Sequence, residues 1–527
     1  MTMVFMQFSP AGAVLATLTT FSIVAAIFFV GWKARSFSWT YVGYFEAGGR
    51  LSSDTTENAF WGTSFSFANG IAYFAVLGYY FGLSVVWFQI PWVLSILLLA
   101  SYLPKLARAA KGRTLHGYLG FVFGKNVRIL TSMVSILGMI LIFGYEISIS
   151  LQIIVSAIGQ QDVWWPLVVL SALLVAVYCD IGGLAAAAKT DRIQNRLASL
   201  ALLLILFGML ILSNSHLEAG GRGDVLWAFP NFDEWTSSLL SVGDLPTPLI
   251  IGVVTFALLF NLVDMSNWQV ISGNSALNSE ELKSAQWGMR RAAMWVLILP
   301  GFIGASIGFI WSGVPVEDPN IIIGQAISEI FQHVGAVAGI FLGLIIGGLI
   351  CAMLSTADSA LTAVGYTLAL DVIDVPNSRP KDESAQQKED RERSVLSSIR
   401  RCQYAFAIFG VAIYVIAILY LPNTVQTLFV FQFVIAAIAL AMAPPLIWAI
   451  LTGKGLSEDD NTPESINRLK EVAFWAVLGG VFAGLLLFIY QITSGPDVEV
   501  YGWTPVVSVA TSGVILGVGL LKKAVET

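Results

Sequence analysis

Long apolar stretches, broken by short polar ones, run along almost the whole chain. A helix needs about 20 mostly apolar residues to cross a bilayer, and windows of roughly 19 residues locate such segments. These windows predict thirteen spans, numbered here in chain order. Their approximate limits are 11–32, 57–82, 84–104, 127–158, 163–181, 197–215, 247–271, 291–313, 335–371, 402–421, 425–452, 471–493 and 503–521. The pattern therefore predicts an all-α polytopic membrane protein.

The composition argues against other classes of protein. Of the 527 residues, 56% are hydrophobic and only 12% are charged, whereas a soluble domain has about 25% charged residues. The formal net charge of −6 also argues against binding to nucleic acid, because that binding depends on positive charge. We therefore expect a lipid bilayer around the chain, and neither a soluble enzyme nor a nucleic-acid partner.

The basic residues predict how the spans are oriented. Lys and Arg in short loops resist translocation, so they collect on the cytoplasmic side of a membrane. When the N-terminus is placed outside and the spans alternate, every Lys and Arg except Arg222 falls on the inner side. The sequence therefore predicts that the N-terminus is outside and the C-terminus is inside.

The spans around the centre of the chain divide into two sets of five. Spans 2–6 and spans 7–11 have opposite orientations, and inverted repeats of this kind are common in transporters. We therefore expect a first repeat at 57–215 and a second at 247–452, with an inner linker at 372–401. The other segments are an N-terminal span with its inner loop at 1–56, an outer loop at 216–246 and two C-terminal spans at 453–527.

Polar residues interrupt two spans at corresponding positions of the two sets. Span 2 contains GTSFSFANGIAYF, with Asn69-Gly70 at mid-membrane, and span 7 contains FNLVDMSNWQ. Gly loosens a helix, and Asn and Asp compete for backbone hydrogen bonds. Backbone freed in a bilayer is tolerated only where it is buried in protein or lines a cavity. The sequence predicts two broken helices at a binding site, although kinks that serve only packing would give a similar pattern.

Four carboxylates fall within the predicted spans, and the interior of these spans, away from their end residues, contains no Lys or Arg: Glu146, Asp180, Asp264 and Asp358. A charge at this depth costs about 2.5–3.5 kcal/mol on insertion scales. Such a residue can face a cation pathway, or it can be protonated or close enough to an interface to reach water. Asp264 and Asp358 stand among Asn, Ser and Thr, which favours a cation pathway. Asp180 lies near the inner end of its span, which favours the second explanation.

Two motifs resemble those of one transporter family. Span 9 contains Ala352-Met-Leu-Ser355-Thr356-Ala-Asp358-Ser359, and a second match runs Tyr178-Cys-Asp-Ile-Gly182-Gly183-Leu-Ala, followed by Thr190-Asp191. With the size and the spans, they resemble the sodium/solute symporter family, which includes the sodium/proline, pantothenate, sialic acid and sodium/glucose transporters. The resemblance implies a leucine-transporter-like fold of five plus five helices, with one extra span before the repeats and two after them.

The resemblance also implies a sodium site between spans 2 and 9. Its ligands would be the carbonyls of Phe67, Gly70 and Ala352 and the hydroxyls of Ser355 and Thr356, with Ala68 and Ile71 as the alternative register. Some members of the family hold a second sodium ion, for which Asp191, Asp358 and Ser359 occupy the matching positions; otherwise Asp191 would cap or gate the cytoplasmic face. Sodium is thus the expected coupling ion, and no organic cofactor is expected.

The resemblance further implies that the substrate side chains come from spans 2, 3, 4, 7 and 11. The candidates are Asn69, Gln89, Glu146, Asn261, Asp264, Asn267, Trp268 and Gln432, with further aromatic walls from Trp87 and Phe260. Asp264 would suit an amino group or another cation, so we expect a small organic solute such as an amino acid or an amine, while a polyol stays open.

The function that these features predict is sodium-coupled symport of a small organic solute into the cell by alternating access. Two alternatives stay open: a proton-coupled transporter of the same fold, and a sensor that binds solute without transporting it. A membrane enzyme is disfavoured, because the sequence shows no arrangement of a nucleophile with a base. We expect an integral protein of the plasma membrane, of the bacterial inner-membrane type, with no obligate protein partner.

Overall fold

A computed structural model gives the structure of the chain. It describes residues 10–34, 41–110, 113–218, 230–241, 245, 247–312, 314, 316, 318–332, 338–373, 385–420, 437–454, 463–494 and 502–526. Every regular element in these ranges is a helix. The all-α fold class that the sequence predicts is therefore confirmed.

The first half of the described chain forms nine helices. They are α1 (Pro10–Lys33), α2 (Tyr41–Glu46), α3 (Ser53–Ser64), α4 (Tyr73–Phe81), α5 (Gln89–Ala109), α6 (Leu115–Phe123), α7 (Lys125–Ile158), α8 (Trp164–Glu218) and α9 (Phe232–Leu240). A wide, π-helical turn at Phe67–Ala72 leads into α4, and a tight 3-10 turn at Gly82–Phe88 joins α4 to α5.

The second half of the described chain forms ten more helices. They are α10 (Thr247–Val263), α11 (Met265–Ser272), α12 (Ser279–Val296), α13 (Gly304–Trp311), α14 (Ile322–Gln332), α15 (Ala338–Thr367), α16 (Ala385–Tyr420), α17 (Ala443–Thr452), α18 (Pro463–Ser494) and α19 (Trp503–Glu526). π-helical turns at Leu297–Ile303 and Leu368–Val372 follow α12 and α15, respectively. Helix α15 has a central place, because it packs against α1, α7 and α8.

Ten helical stretches in the described ranges are long and apolar enough to cross a membrane. Two of them, Phe67–Ala109 and Trp164–Ile211, each run through two predicted spans. The shorter apolar stretch Ala439–Thr452 lies in span 11, whose first part is outside the described residues. The chain is thus a multi-pass integral membrane protein whose helices fall where the spans are predicted. The number of thirteen spans and their orientation stay predictions.

A glycine makes the turn between predicted spans 5 and 6. Gly183 interrupts α8 with a φ of 56°, a conformation that residues with a Cβ rarely adopt. A Cβ at this position would lie 2.3 Å from the carbonyl oxygen of Tyr44. The fold itself therefore requires the second glycine of the 178–185 motif.

The second part of the predicted inner linker is helical. The turn after α15 ends at Val372, and α16 begins at Ala385 and continues through span 10 to Tyr420. On α16, Glu389 and Arg393 form an ion pair of 2.6 Å, one turn apart. Such pairs stabilise a helix, so the mixed charges of this tract extend the membrane helix rather than forming a loop.

Candidate functional site

Two helices break within the apolar part of the fold, in predicted spans 2 and 7. The first break is at Phe65 and Ser66, between α3 and the π-helical turn before α4. The second is at Asp264, between α10 and α11, where the backbone is extended with φ of −70° and ψ of 118°. Both predicted broken helices are therefore present. The first breaks just before the Asn69-Gly70 pair that suggested it.

The side chain of Glu146 reaches the first break from α7. Its Oε1 accepts hydrogen bonds from the backbone N–H groups of Phe67 (2.8 Å) and Ala68 (3.2 Å). Its Oε2 accepts from the backbone and side-chain N–H groups of Asn69 (3.3 and 2.8 Å) and from the Ser66 hydroxyl. The first N–H groups of a helix have no partner within it and carry partial positive charge. A fully buried carboxylate therefore caps the outgoing half of this broken helix.

Asp264 has the same role at the second break. It is the N-cap residue of α11, and its Oδ1 accepts hydrogen bonds from the backbone N–H (2.8 Å) and the hydroxyl (2.6 Å) of Ser266. An Asp side chain is among the best helix caps for this reason. Two of the four carboxylates within the predicted spans thus stabilise the starts of half-helices.

Residues at both breaks line a cavity of about 140 Å³. Polar residues from the breaks face apolar and aromatic ones from α4, α5, α7 and α10. The lining residues are Thr63, Ser64, Ser66, Asn69, Gly70, Tyr73, Phe74, Phe88, Gln89, Trp92, Met139, Ile142, Val253, Phe256, Ala257, Phe260, Asp264, Ser266, Thr356 and Ala360. Asp264 is the one formally charged residue in this described lining.

The cavity contains three of the predicted substrate residues, Asn69, Gln89 and Asp264. Glu146 is instead buried behind the lining, where it caps the first break. Gln432 lies outside the described residues.

The remaining three candidates, Asn261, Asn267 and Trp268, form hydrogen bonds within the second break. The side-chain N–H of Asn267 donates to Asn261 Oδ1 at 3.0 Å. The indole N–H of Trp268 donates to the carbonyl of Leu262 at 2.7 Å. All three candidates are buried, and the described lining of the cavity does not include them. They hold the break in shape, which explains why so many polar residues cluster there.

Sequence reasoning missed part of an aromatic wall formed by Trp92, Phe256 and Phe260. The rings of Phe256 and Phe260 stack at 4.7 Å, and the ring of Trp92 lies 5.8 Å from that of Phe260. Phe256, Phe260 and Asp264 follow one another at intervals of four residues, which places them on one helix face. That spacing could have revealed the wall. Trp87, which was expected in it, is largely exposed and donates to the carbonyl of Leu239.

Hydroxyl residues of α15 face the end of α3. The Thr356 hydroxyl donates to the carbonyl oxygen of Gly62 at 3.5 Å. The two helices are so close that a Cβ on Gly62 would lie 2.3 Å from Ser355 Oγ. The last carbonyls of a helix lack partners within it. Backbone and hydroxyl oxygens therefore meet where α3 ends, and Ala352 is buried one turn earlier on α15.

Phe67 and Gly70, the sodium ligands expected from span 2, lie beyond the break. The N–H of Phe67 points to Glu146, and Gly70 lines the cavity. The structure places Gly62, five residues before Phe67, beside Thr356. The reason is that the helix ends at Ser64 and not at Asn69, so its last carbonyls come earlier, and the Gly62 carbonyl also accepts from the Phe65 N–H at 3.2 Å.

A second set of oxygens lies between α8 and α15. The Ser355 hydroxyl donates to Asp191 Oδ1 at 2.5 Å, and the Ser359 hydroxyl donates to Asp358 Oδ1 at 3.4 Å. Asp191 and Asp358 are both buried, and their charges act on each other. Oδ2 of Asp358 has no hydrogen-bond partner among the described residues. The three residues expected at a second sodium site therefore fall into one cluster with Ser355.

Solved structures of transporters resemble the chain over most of its length. One is a Na+-coupled sialic acid symporter in a substrate-bound outward-open state, which is 17% identical with a TM-score of 0.68 over 96% of this chain and 97% of that one. A manganese transporter of Eremococcus coleocola is 13% identical with a TM-score of 0.56 over 89% of this chain and 93% of that one. Mhp1, a nucleobase-cation-symport-1 family transporter, is 13% identical with a TM-score of 0.53 over 90% and 94%.

No family model matches the chain, and no curated protein matches it. At these identities, the structural similarity establishes the fold. The chain has the leucine-transporter fold, as the two sequence motifs predict. Membership in the sodium/solute symporter family stays a prediction.

Proposed function

We propose that the chain is a secondary active transporter that moves a small organic solute into the cell together with sodium. The observation that carries the proposal is the contact of Thr356 with the carbonyl of Gly62, where one broken helix ends beside a cavity. In transporters with broken helices, freed backbone carbonyls coordinate the coupling ion. A fold shared with a Na+-coupled symporter supports the proposal. The plasma membrane is the proposed location, because such symport needs a membrane that holds a sodium gradient.

The proposed sodium site takes its ligands from α3 and α15. They are the carbonyls of Gly62 and Ala352 and the hydroxyls of Ser355 and Thr356, with Gly62 in place of Phe67 and Gly70. Hard cations prefer oxygen ligands. Neutral oxygens also bind a cation weakly enough to release it, which transport requires.

A second sodium ion is proposed at Asp191, Asp358 and Ser359. Two buried carboxylates that repel each other are stabilised by a cation close to both. We expect the sodium dependence of thermal stability to be sigmoidal in wild type and hyperbolic in Asp358→Asn, since one of two coupled sites is lost. An unchanged sodium dependence in this variant would contradict the second site.

Release to the inner side requires the start of α3 to separate from α12 and from the turn that precedes α12. Three contacts hold these elements together. They join the Ser53 hydroxyl to the Ser284 carbonyl (2.6 Å), the Thr56 hydroxyl to Asn274 Oδ1 (3.0 Å) and Arg291 to Glu57 (2.5 Å). An ion shifts a conformational equilibrium only by its different affinity for the two states. Sodium between α3 and α15 would favour the arrangement that these contacts hold, and its loss would allow α3 to move.

Sodium-specific stabilisation of the purified protein tests the proposal without knowledge of the solute. We expect a higher thermal midpoint in sodium than in potassium at equal ionic strength. An ion bound only by the folded state stabilises it by about 2.7 kcal/mol at a hundredfold excess over Kd. Thr356→Ala should abolish the difference. Thr255→Ala is the matched control, because its exposed hydroxyl bonds to Ile251 in its own helix, and it should keep the difference.

The same samples distinguish the alternatives. Equal midpoints in the two cations, with the protein folded, would contradict the sodium site. A midpoint that depends on pH and not on sodium would instead favour proton coupling. Saturable solute binding by a protein that never accumulates the solute in vesicles would favour a sensor.

A further inference from the structure

We infer that the solute is a small organic cation without a carboxylate, an amine or a quaternary ammonium ion. The inference rests on the proposed function and narrows the substrate class of the same cavity. Three features of the site support it: the starts of the half-helices, the charge of the lining and the aromatic wall.

The elements that would bind an anionic group are already occupied by the chain itself. In transporters with broken helices, the N-termini of the half-helices point at anionic groups of the substrate. Here the first N–H groups after one break bond to Glu146, and the Ser266 N–H after the other bonds to Asp264. A substrate carboxylate would have to replace a buried carboxylate that accepts several charge-assisted hydrogen bonds, or lie against it. Both are costly.

The charge and the hydrogen-bonding groups of the lining favour a cation. Asp264 lines the cavity, and the described lining contains no Lys, Arg or His. Asn69 gives its side-chain N–H to Glu146, while its Oδ1 has no hydrogen-bond partner among the described residues. At this depth a lone negative charge is costly, so a cationic solute would neutralise Asp264, and an amine N–H or a ligand hydroxyl would also donate to Asn69.

The aromatic wall supplies the remaining contact. The ring of Phe260 stacks on those of Trp92 and Phe256 beside the cavity, and Asp264 lies one helical turn beyond Phe260. The electrons of an aromatic face attract a cation, more strongly when water is excluded, and quaternary ammonium ions are recognised in this way. The cavity volume of about 140 Å³ restricts the ligand to a small molecule.

Matched pairs of compounds test the inference on the purified full-length protein at constant sodium. Choline is compared with glycine betaine, and isobutylamine with valine, because the second member of each pair carries a carboxylate. The neutral analogue 3,3-dimethyl-1-butanol tests the charge of choline. For at least one pair, we expect the cation to raise the thermal midpoint. Its half-saturating concentration should be at least about tenfold lower than that of the carboxylate-bearing compound of the pair. We also expect the neutral analogue to be weaker than choline.

Asp264→Asn tests the residue that carries the charge. Asn is as good a helix cap as Asp, so α11 should keep its start, and the variant should lose the response to the cation while keeping the response to sodium. Asp318→Asn, which changes a cap that bonds to Asn320 outside the described lining, should keep both responses.

Several results would overturn the inference. They are an equal or stronger effect of betaine or valine, an equal effect of the neutral analogue, an intact cation response in Asp264→Asn, and no response to either cation while sodium still stabilises the protein. If sodium does not stabilise the wild-type protein, the proposed function is contradicted. The comparison of the paired compounds would then still test the inference about the solute.

Discussion

Glu146 on α7 accepts hydrogen bonds from both nitrogens of Asn69, the backbone N–H at 3.3 Å and the side-chain N–H at 2.8 Å. The two residues are 77 positions apart in sequence, so the contact joins the first broken helix to its neighbour. This contact orients the side-chain amide of Asn69, and it also caps the half-helix. A carboxylate that the sequence suggested as a substrate ligand is therefore a structural support of the site.

Replacement of Glu146 should destabilise the fold in proportion to the acceptors that are lost. Glu146→Ala leaves the buried N–H groups of Phe67 and Ala68 without their acceptor, and each unpaired buried group costs about 1–3 kcal/mol. Glu146→Gln keeps one acceptor oxygen and should lose less. Unfolding in detergent measures both variants. Glu389→Gln is the control, since its exposed ion pair contributes only about 0.3–0.5 kcal/mol. A Glu146→Ala variant as stable as this control would contradict the capping role.

Gly62→Ala should impair sodium binding without unfolding the chain. The new Cβ would lie 2.3 Å from Ser355 Oγ and 3.0 Å from Asp191 Oδ1, so both oxygens must shift. We expect the sodium concentration for half-maximal stabilisation to rise at least about tenfold, which corresponds to 1.4 kcal/mol.

Gly138→Ala is the matched control for this substitution. A Cβ at Gly138 meets nothing within 4 Å, and alanine in a helix is about 0.5–1 kcal/mol more favourable than glycine. This variant should be slightly more stable than wild type, with the same sodium dependence. If Gly62→Ala also kept that dependence, the site between α3 and α15 would be wrong.

His116 should make the stability of the protein sensitive to acid. It is buried in α6, outside the apolar membrane stretches, and burial lowers its pKa to about 3. In the unfolded chain the pKa is about 6.5, so the unfolded state takes up the proton first. The stability is then complete above about pH 6.5 and falls by about 1.4 kcal/mol per pH unit below it. Thermal midpoints between pH 7.5 and 5 should show a smaller slope in His116→Gln than in wild type; equal slopes would exclude this origin.

The fold could be predicted from the sequence because hydropathy and the polar residues at a helix break are both visible in a short stretch of sequence. Apolar length locates the helices, and the polar residues around Asn69 and Asp264 locate both breaks to within a few residues. The 178–185 motif could not be explained locally, since Gly183 is required by its approach to Tyr44 in a distant segment. Contacts of this kind become visible only in three dimensions.

The positions of the candidate ligands were harder to predict, because they depend on where a helix ends. Glu146 holds the first break from another helix, and α3 ends before Phe67, so its last carbonyls, among them that of Gly62, come earlier in the chain than expected. Asp180 shows the same limit. Its place near the end of its span indicated a position close to the interface, but not that Arg400 on α16 pairs with it at 3.1 Å. Neither partner is close to its carboxylate in sequence.

The most direct test of sodium-coupled symport is accumulation under imposed gradients. Purified protein is reconstituted into potassium-loaded proteoliposomes, and a metabolite extract is added outside them. The vesicles carry an inward sodium gradient, an inward proton gradient or neither. Mass spectrometry then identifies the solutes inside. We predict that at least one solute rises above its external concentration under the sodium gradient alone, and that Thr356→Ala abolishes this rise. Accumulation driven by protons without sodium, or no accumulation of any solute by folded protein, would contradict the account.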